Sequence, residues 1–132
     1  MNKQHEKILL DKFDYMFRER HLPMSQTCMC WLFECGDGWF DLIYKLCNDI
    51  QKELDKPQNI ETKNNFCFAQ VKEKFGLLRI YVNYSNEKIN KLISIAENKS
   101  NKICMNCGKK GSLDKRFHWL ITLCKECKKK RK

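Results

Sequence analysis

Two Cys-x2-Cys pairs, Cys104/Cys107 and Cys124/Cys127, stand sixteen residues apart and constrain this chain more than any other feature. A two-residue gap lets both thiolates of a pair reach one tetrahedral ion at a metal–sulfur distance of about 2.3 Å. Two such pairs at this separation match the spacing of four-cysteine zinc sites. Gly108 follows the first pair and permits the tight backbone turn that a metal knuckle needs. The residues between the pairs can form a short hairpin that returns the second pair to the first, with Leu120, Ile121 and Leu123 on its apolar side. Four thiolates leave no open position on the ion, so the expected cofactor is a structural Zn²⁺. It replaces a hydrophobic core that this lysine-rich segment cannot build. Adventitious iron, or four reduced thiols without metal, are the alternatives at the same place. A thioredoxin-type redox pair belongs in a βαβ pattern, which is missing here.

Disulfides are disfavoured on two grounds. The cysteine count is nine, so one thiol stays unpaired in any scheme. The N-terminal "MNKQHEKILLDKFDYMF" carries charges where a secretory signal needs an unbroken apolar stretch, and no apolar run is long enough to span a membrane. The expectation is a cytoplasmic protein in a reducing compartment. Cys28, Cys30, Cys35, Cys47 and Cys67 are then expected mostly as buried small hydrophobes. A second metal site within "CMCWLFEC" stays open, although its spacing fits no strong template.

The net charge of +10 is concentrated in the cysteine segment. From residue 101 to 132 eleven Lys and Arg face only Asp114 and Glu126, whereas residues 1–100 hold fifteen basic and fourteen acidic groups. This divides the chain into a near-neutral body, 1–100, and a zinc knuckle with a basic tail, 101–132. Lys109, Lys110, Lys115, Arg116, Lys128, Lys129, Lys130, Arg131 and Lys132 are the candidates for contact with a polyanion. The competing account is a solvated tail that only keeps the protein soluble.

Periodicity supplies the rest of the fold. Ile8, Leu9, Leu10, Phe13, Met16 and Phe17 predict an amphipathic helix over 2–20, ended by Pro23. "TCMCWLFEC" reads as a short strand or buried extended segment. Asp37 is placed to cap a helix over 38–54, whose inward stripe is Trp39, Leu42, Ile43, Leu46, Cys47, Ile50 and Leu54. "DKPQNIETKNN" reads as a polar linker. "FCFAQVKEKFGLLRIYVNYS" predicts two strands around a turn near "KEKFG", and Ser85 or Asn86 caps a helix over 87–99 with Ile89, Leu92, Ile93 and Ala96 inward. The fold class is α+β: helices packed on a small antiparallel sheet, with a C-terminal four-cysteine zinc knuckle.

Other chemistry is sparse, and the expectation is a protein that is not an enzyme and takes no small-molecule substrate. HNH-type nucleases use paired Cys-x-x-Cys knuckles around a histidine base, but His118 is the only histidine in the C-terminal half. "GDG" is too short to cradle a nucleotide, and Glu34, Asp37 and Asp41 cluster where helix capping explains them. Arg79 and Tyr81 share the outer face of the second strand, where they either stack on a base or form an ordinary half-exposed sheet surface.

The segments "ECGDGWFDLI", "QVKEKFGLLRIYV" and "CMNCG…HWLITLC", in that order over residues 33–127, resemble a family of small, mostly uncharacterised proteins of phages, prophages and related mobile elements. The resemblance implies a metal-binding C-terminus and an accessory role, with no reaction attached. The last five residues, and "CMC", depart from that family's pattern. By analogy with small mobile-element proteins that antagonise host defence, the expected partner is a host nucleoprotein effector, and the expected role an inhibitor of anti-CRISPR type acting on an RNA-guided complex or its RNA. The alternative is a zinc-ribbon RNA- or DNA-binding accessory protein, and the least favoured an HNH-like nuclease.

Overall fold

Leu9, Phe13, Met16 and Phe17 are all buried, yet no single straight helix carries them. In the computed structural model, which describes residues 1–131, α1 (Lys3–Lys12) starts at Asn2, whose side chain accepts the backbone N–H of His5, and ends at Phe13. The chain then continues as a kinked 3₁₀ segment, Asp14–His21, in place of the single helix predicted over 2–20. Arginines take up the carbonyls that this irregular stretch leaves free. Arg20 donates to the carbonyls of Asp14 and Phe17, and Arg18 to those of Tyr15 and Phe66. The kink brings Phe17 into a stack on Phe68, 4.5 Å between centroids, and edge-on to Phe33.

The predicted strand within "TCMCWLFEC" shrinks to one 3₁₀ turn, Met29–Trp31, and the two-residue β1 (Phe33–Glu34). The chain then enters α2 (Phe40–Leu54) through another 3₁₀ turn, Asp37–Trp39. Ile43, Leu46, Cys47, Ile50 and Leu54 form the buried stripe expected of it. Asp37 does not cap α2. Its carboxylate instead accepts the backbone and side-chain N–H groups of Asn2 and pairs with His5, tying the start of α1 to the turn. The Asn2 backbone N–H foremost holds this carboxyl below its ordinary range.

The polar linker contains structure that no apolar period announces. Pro57 opens a 3₁₀ turn and α3 (Ile60–Asn65) follows, with no buried residue in either. β2 (Cys67–Lys74) and β3 (Leu77–Asn83) form the predicted antiparallel hairpin. β1 joins β2 in parallel, so the sheet is mixed, in the order β1-β2-β3. α4 (Glu87–Ser100) is capped by Asn86 and buries Ile89, Ile93 and Ala96. It also closes the β3 edge: Ser100 Oγ accepts the N–H of Leu78 at 2.9 Å, and Glu97 that of Ile80 at 3.0 Å. An edge strand is thereby denied to another chain. β4 (Ser112–Asp114) and β5 (Ile121–Leu123) make the short hairpin expected between the cysteine pairs, and α5 (Lys125–Lys130) ends the described chain. No helix among the described residues is long and apolar enough to cross a membrane.

Candidate metal centre and its basic surroundings

The four cysteines of the C-terminal motif come together. The Sγ atoms of Cys104, Cys107, Cys124 and Cys127 all lie within 4.8 Å of one another, and those of Cys107 and Cys124 are 3.5 Å apart. A tetrahedron with bonds of about 2.3 Å sets its sulfurs about 3.8 Å apart. The cluster therefore fits a zinc-sized ion with a small contraction at most.

Local backbone bonds build each half. Gly108, at φ +82°, turns the first loop so that its N–H reaches the Cys104 carbonyl, while the Cys104 N–H binds the Lys109 carbonyl at 2.7 Å. Cys124 caps α5, its Sγ accepting the N–H of Cys127 at 3.4 Å. These bonds divide the thiols into two kinds. Burial pushes the Cys104 thiol up, but backbone groups of Cys124, Cys107 and Asn106 outweigh it and bring the thiol down to about 7. The Cys127 N–H likewise lowers Cys124. The neighbouring Cys124 sulfur foremost pushes the Cys127 thiol up to about 12. The Lys109 N–H favours the Cys107 thiolate, but burial and the neighbouring thiols prevail and raise Cys107 as well. A divalent cation bound here would displace the thiol protons.

The site rests on the body through the two glycine turns and the tryptophan of the sequence motifs. Gly38 donates to the Met105 carbonyl at 2.8 Å, and Trp39 Nε1 to that of Ile103 at 2.9 Å. A Cβ on Gly38 would stand 2.0 Å from the Cys104 carbonyl oxygen, and one on Gly36 2.3 Å from that of Met105. "GDG" therefore cradles the backbone of the metal loop. From the other side Gly76 bridges Ile121, and its carbonyl accepts Thr122 Oγ1 at 2.7 Å. The three segments "ECGDGWFDLI", "QVKEKFGLLRIYV" and "CMNCG…HWLITLC" meet around this contact.

Asp114 is the residue that the spacing arguments passed over. Its carboxylate, 2% exposed, takes a two-pronged bond from Arg116 (2.8 and 2.9 Å) and a third contact from Arg131 at 3.2 Å. Arg116 also donates to the Lys128 carbonyl, and Arg131 to that of Trp119. Both guanidinium groups lie near the Phe117 ring, so β4, the following loop and α5 are locked together. Arg116 above all holds the Asp114 carboxyl well below the usual carboxylate range. The available signal was one of only two acids among eleven cations.

The basic candidates therefore differ among themselves. Arg116 and Arg131 are engaged with Asp114, Lys109 lies 3.8 Å from Glu126, and Lys128 donates to Ser112. Lys110, Lys115, Lys129 and Lys130 are exposed and form no ion pair among the described residues. Lys132 lies outside the described residues. Arg79 and Tyr81 sit on β3 of the body, Tyr81 exposed and Arg79 half-buried. His118 is exposed and not part of the ligating cluster. Of the remaining cysteines, Cys35, Cys47 and Cys67 are buried as expected, and burial raises all three thiols, Cys35 to about 12. Cys28 is exposed and Cys30 half-buried, and these residues assemble no second ligating group among the described residues. Comparison of the chain with protein-family models, with curated proteins and with solved structures finds no match.

Proposed function

We propose that this protein is a non-catalytic binding protein whose zinc-stabilised C-terminal module presents a basic face to the nucleic acid of a nucleoprotein. The observation that carries the reading is the pairing of a four-sulfur cluster with exposed lysines that form no ion pair among the described residues. Four thiolates fill a tetrahedral ion, so the zinc would hold shape and leave no site for substrate or activated water. Lysines 110, 115, 129 and 130 remain free to displace counterions from phosphates. The resemblance of the three sequence segments to proteins of mobile elements directs the proposal to a host defence complex, of the RNA-guided kind that anti-CRISPR proteins inhibit. A zinc-ribbon protein that binds RNA or DNA alone is the second reading, and it rests on the same lysines.

The test is a titration of a purified RNA-guided effector, and separately of its guide RNA, at several salt concentrations. Tight binding to the complex with weak, salt-sensitive binding to free RNA is the expected result. Equal affinity for both favours the second reading, and binding to neither contradicts both. Replacing Lys110, Lys115, Lys129 and Lys130 with Gln lowers the salt slope by roughly 0.7 for each single-strand phosphate that is no longer neutralised. An unaltered slope would make the face merely solubilising. Nucleic acid cut on incubation with Mg²⁺ or Mn²⁺, and left intact by His118→Ala, would overturn the non-catalytic part.

A further inference from the structure

The β2–β3 hairpin turns through two residues, Phe75 and Gly76, since Lys74 pairs with Leu77 across it. Both adopt positive φ, +54° and +82°. A two-residue turn of this kind favours Asn-Gly or Asp-Gly, because short polar side chains tolerate the left-handed region and a bulky ring does not. Gly76 is accounted for by docking: a Cβ there would meet Leu113 Cδ1 at 2.4 Å. Phe75 has no such account. It holds a strained backbone conformation while its side chain stays 68% exposed, so burial does not offset the strain. An exposed residue kept in a strained conformation points toward use.

Phe75 shares a groove of about 380 Å³ with Trp119, His118, Leu120, Lys74 and Glu73. Trp119 is also 68% exposed, so two large aromatic surfaces border one cleft between the hairpin tip and the zinc module. The acid in this cleft is already occupied. Glu73 accepts the Trp119 indole N–H at 3.2 Å through one oxygen and the Gly76 N–H at 2.8 Å through the other. These bonds fix the tryptophan against the hairpin. Lys74 Nζ lies 5.7 Å from the Phe75 ring centroid. Behind it, Lys72 stands opposite Arg79 in the strand register, and Gln70 opposite Tyr81. The two-residue period of a strand sets these positions on the same face as Lys74, opposite the buried Val71, Leu78 and Ile80. Two acids stand beside them: Glu34 of β1, opposite Lys72 in the register, takes a hydrogen bond from Gln70, and Glu19 shares a cleft with Gln70 and Tyr81 and takes one from Asn83.

We propose that the groove takes an unpaired base of single-stranded nucleic acid, stacked against Phe75 and Trp119, with the phosphates led along Lys74, Lys72 and Arg79 toward Tyr81. The proposal rests on the nucleic-acid reading above and names its chemistry. Rings that stack on bases, interleaved with cations that follow the backbone, are how proteins hold single strands without reading sequence. A duplex offers the same phosphates but keeps its base faces stacked on each other, so the rings would gain nothing from it.

The experiment measures binding of labelled oligo(dT), oligo(U) and a short duplex to the zinc-loaded chain at low salt. Phe75→Asn suits the left-handed turn, and Trp119→Ala removes the second ring. Each is expected to weaken single-strand binding about tenfold or more, leave duplex binding unchanged, and keep the wild-type salt slope. Trp119→Phe, which keeps a ring, restores most of the single-strand affinity. In a Trp31→Phe background the remaining Trp39 is fully buried, so quenching of the exposed emission by oligo(dT) reports contact at Trp119. Unchanged single-strand affinity in both variants, or equal losses on single strand and duplex, would overturn the stacking while leaving the basic face intact. No binding of wild-type protein to any of the three probes would overturn the stacking and the nucleic-acid reading together.

Discussion

In the body, Trp39, Phe17, Phe66, Phe68 and Leu9 are fully buried around one apolar core, whereas in the C-terminal module the apolar cluster consists of Cys104, Leu123 and Cys124. Each large side chain taken from water contributes roughly 1.5–3 kcal/mol, so burial is the main force that holds the body. Three residues, two of them cysteines, cannot hold the module in that way. In place of such a core the module has four sulfurs close enough to hold a metal ion, a buried carboxylate between two arginines, and backbone contacts with the glycine turns of the body. The two regions teach where each kind of sequence signal applies. Apolar period speaks for structure held by burial, and ligand spacing for structure held by coordination.

The largest expected effect tests coordination. Cys104→Ser removes one sulfur from a site type whose apparent binding free energy is about 10–16 kcal/mol. Zinc content falls from about one per chain towards none, and residues 104–131 lose amide protection while Trp39 stays buried. Full zinc content in this variant would break the contrast. Phe17→Ala is the reverse experiment. It is expected to cost the body about 3–5 kcal/mol, read by denaturant unfolding, with the metal still bound at low denaturant. Joint loss of zinc and body structure would show one cooperative unit.

Gly38→Ala sharpens the contact between the regions. The added Cβ would press on the Cys104 carbonyl and on the Gly108 nitrogen. The expected cost is about 1–3 kcal/mol, as for overpacked sites, with weakened zinc retention against a chelator. Unchanged retention would mean that the metal loop does not depend on the body. The smallest effect concerns Asp114. Its carboxyl is held below the usual range, so its ion pairs stabilise the module above the ordinary carboxylate pKa of about 3.9, and that stabilisation is lost as pH falls through the lowered folded value. Asp114→Asn should therefore raise amide exchange across β4 and α5 at neutral pH and differ little from wild type in strong acid. The half-exposed Arg116 partner keeps this effect modest. A difference that persists in strong acid would contradict the ion-pair account.

Much of this was readable beforehand where one signal acted alone. The four sulfurs, the β2–β3 hairpin, the Asn86-capped helix and the α2 stripe follow from spacing, alternation and capping. The first helix was misread because apolar period records which residues are buried, not whether the chain bends to bury them. Phe13 and Phe17 fit a straight helix by count, yet the kink serves their packing on Tyr44 and Phe68. α3 reads as linker because it buries nothing, and the strand expected within "TCMCWLFEC" is cut down to β1 because only Phe33 and Glu34 pair with β2. Gly36 and Gly38 owe their roles to the backbone of Met105 and Cys104, distant along the chain, and Asp114 owes its role to arginines that charge counting treats as free; neither is encoded locally.

Native mass spectrometry of the full chain under reducing conditions, joined to hydrogen exchange before and after a zinc chelator, tests most directly whether a metal holds the module and burial the body. The expected result is one zinc per chain, with exchange after chelation rising across residues 104–131 and the β2–β3 hairpin core still protected. A chain that carries no metal, yet protects its C-terminal amides as fully as its body, would contradict the account.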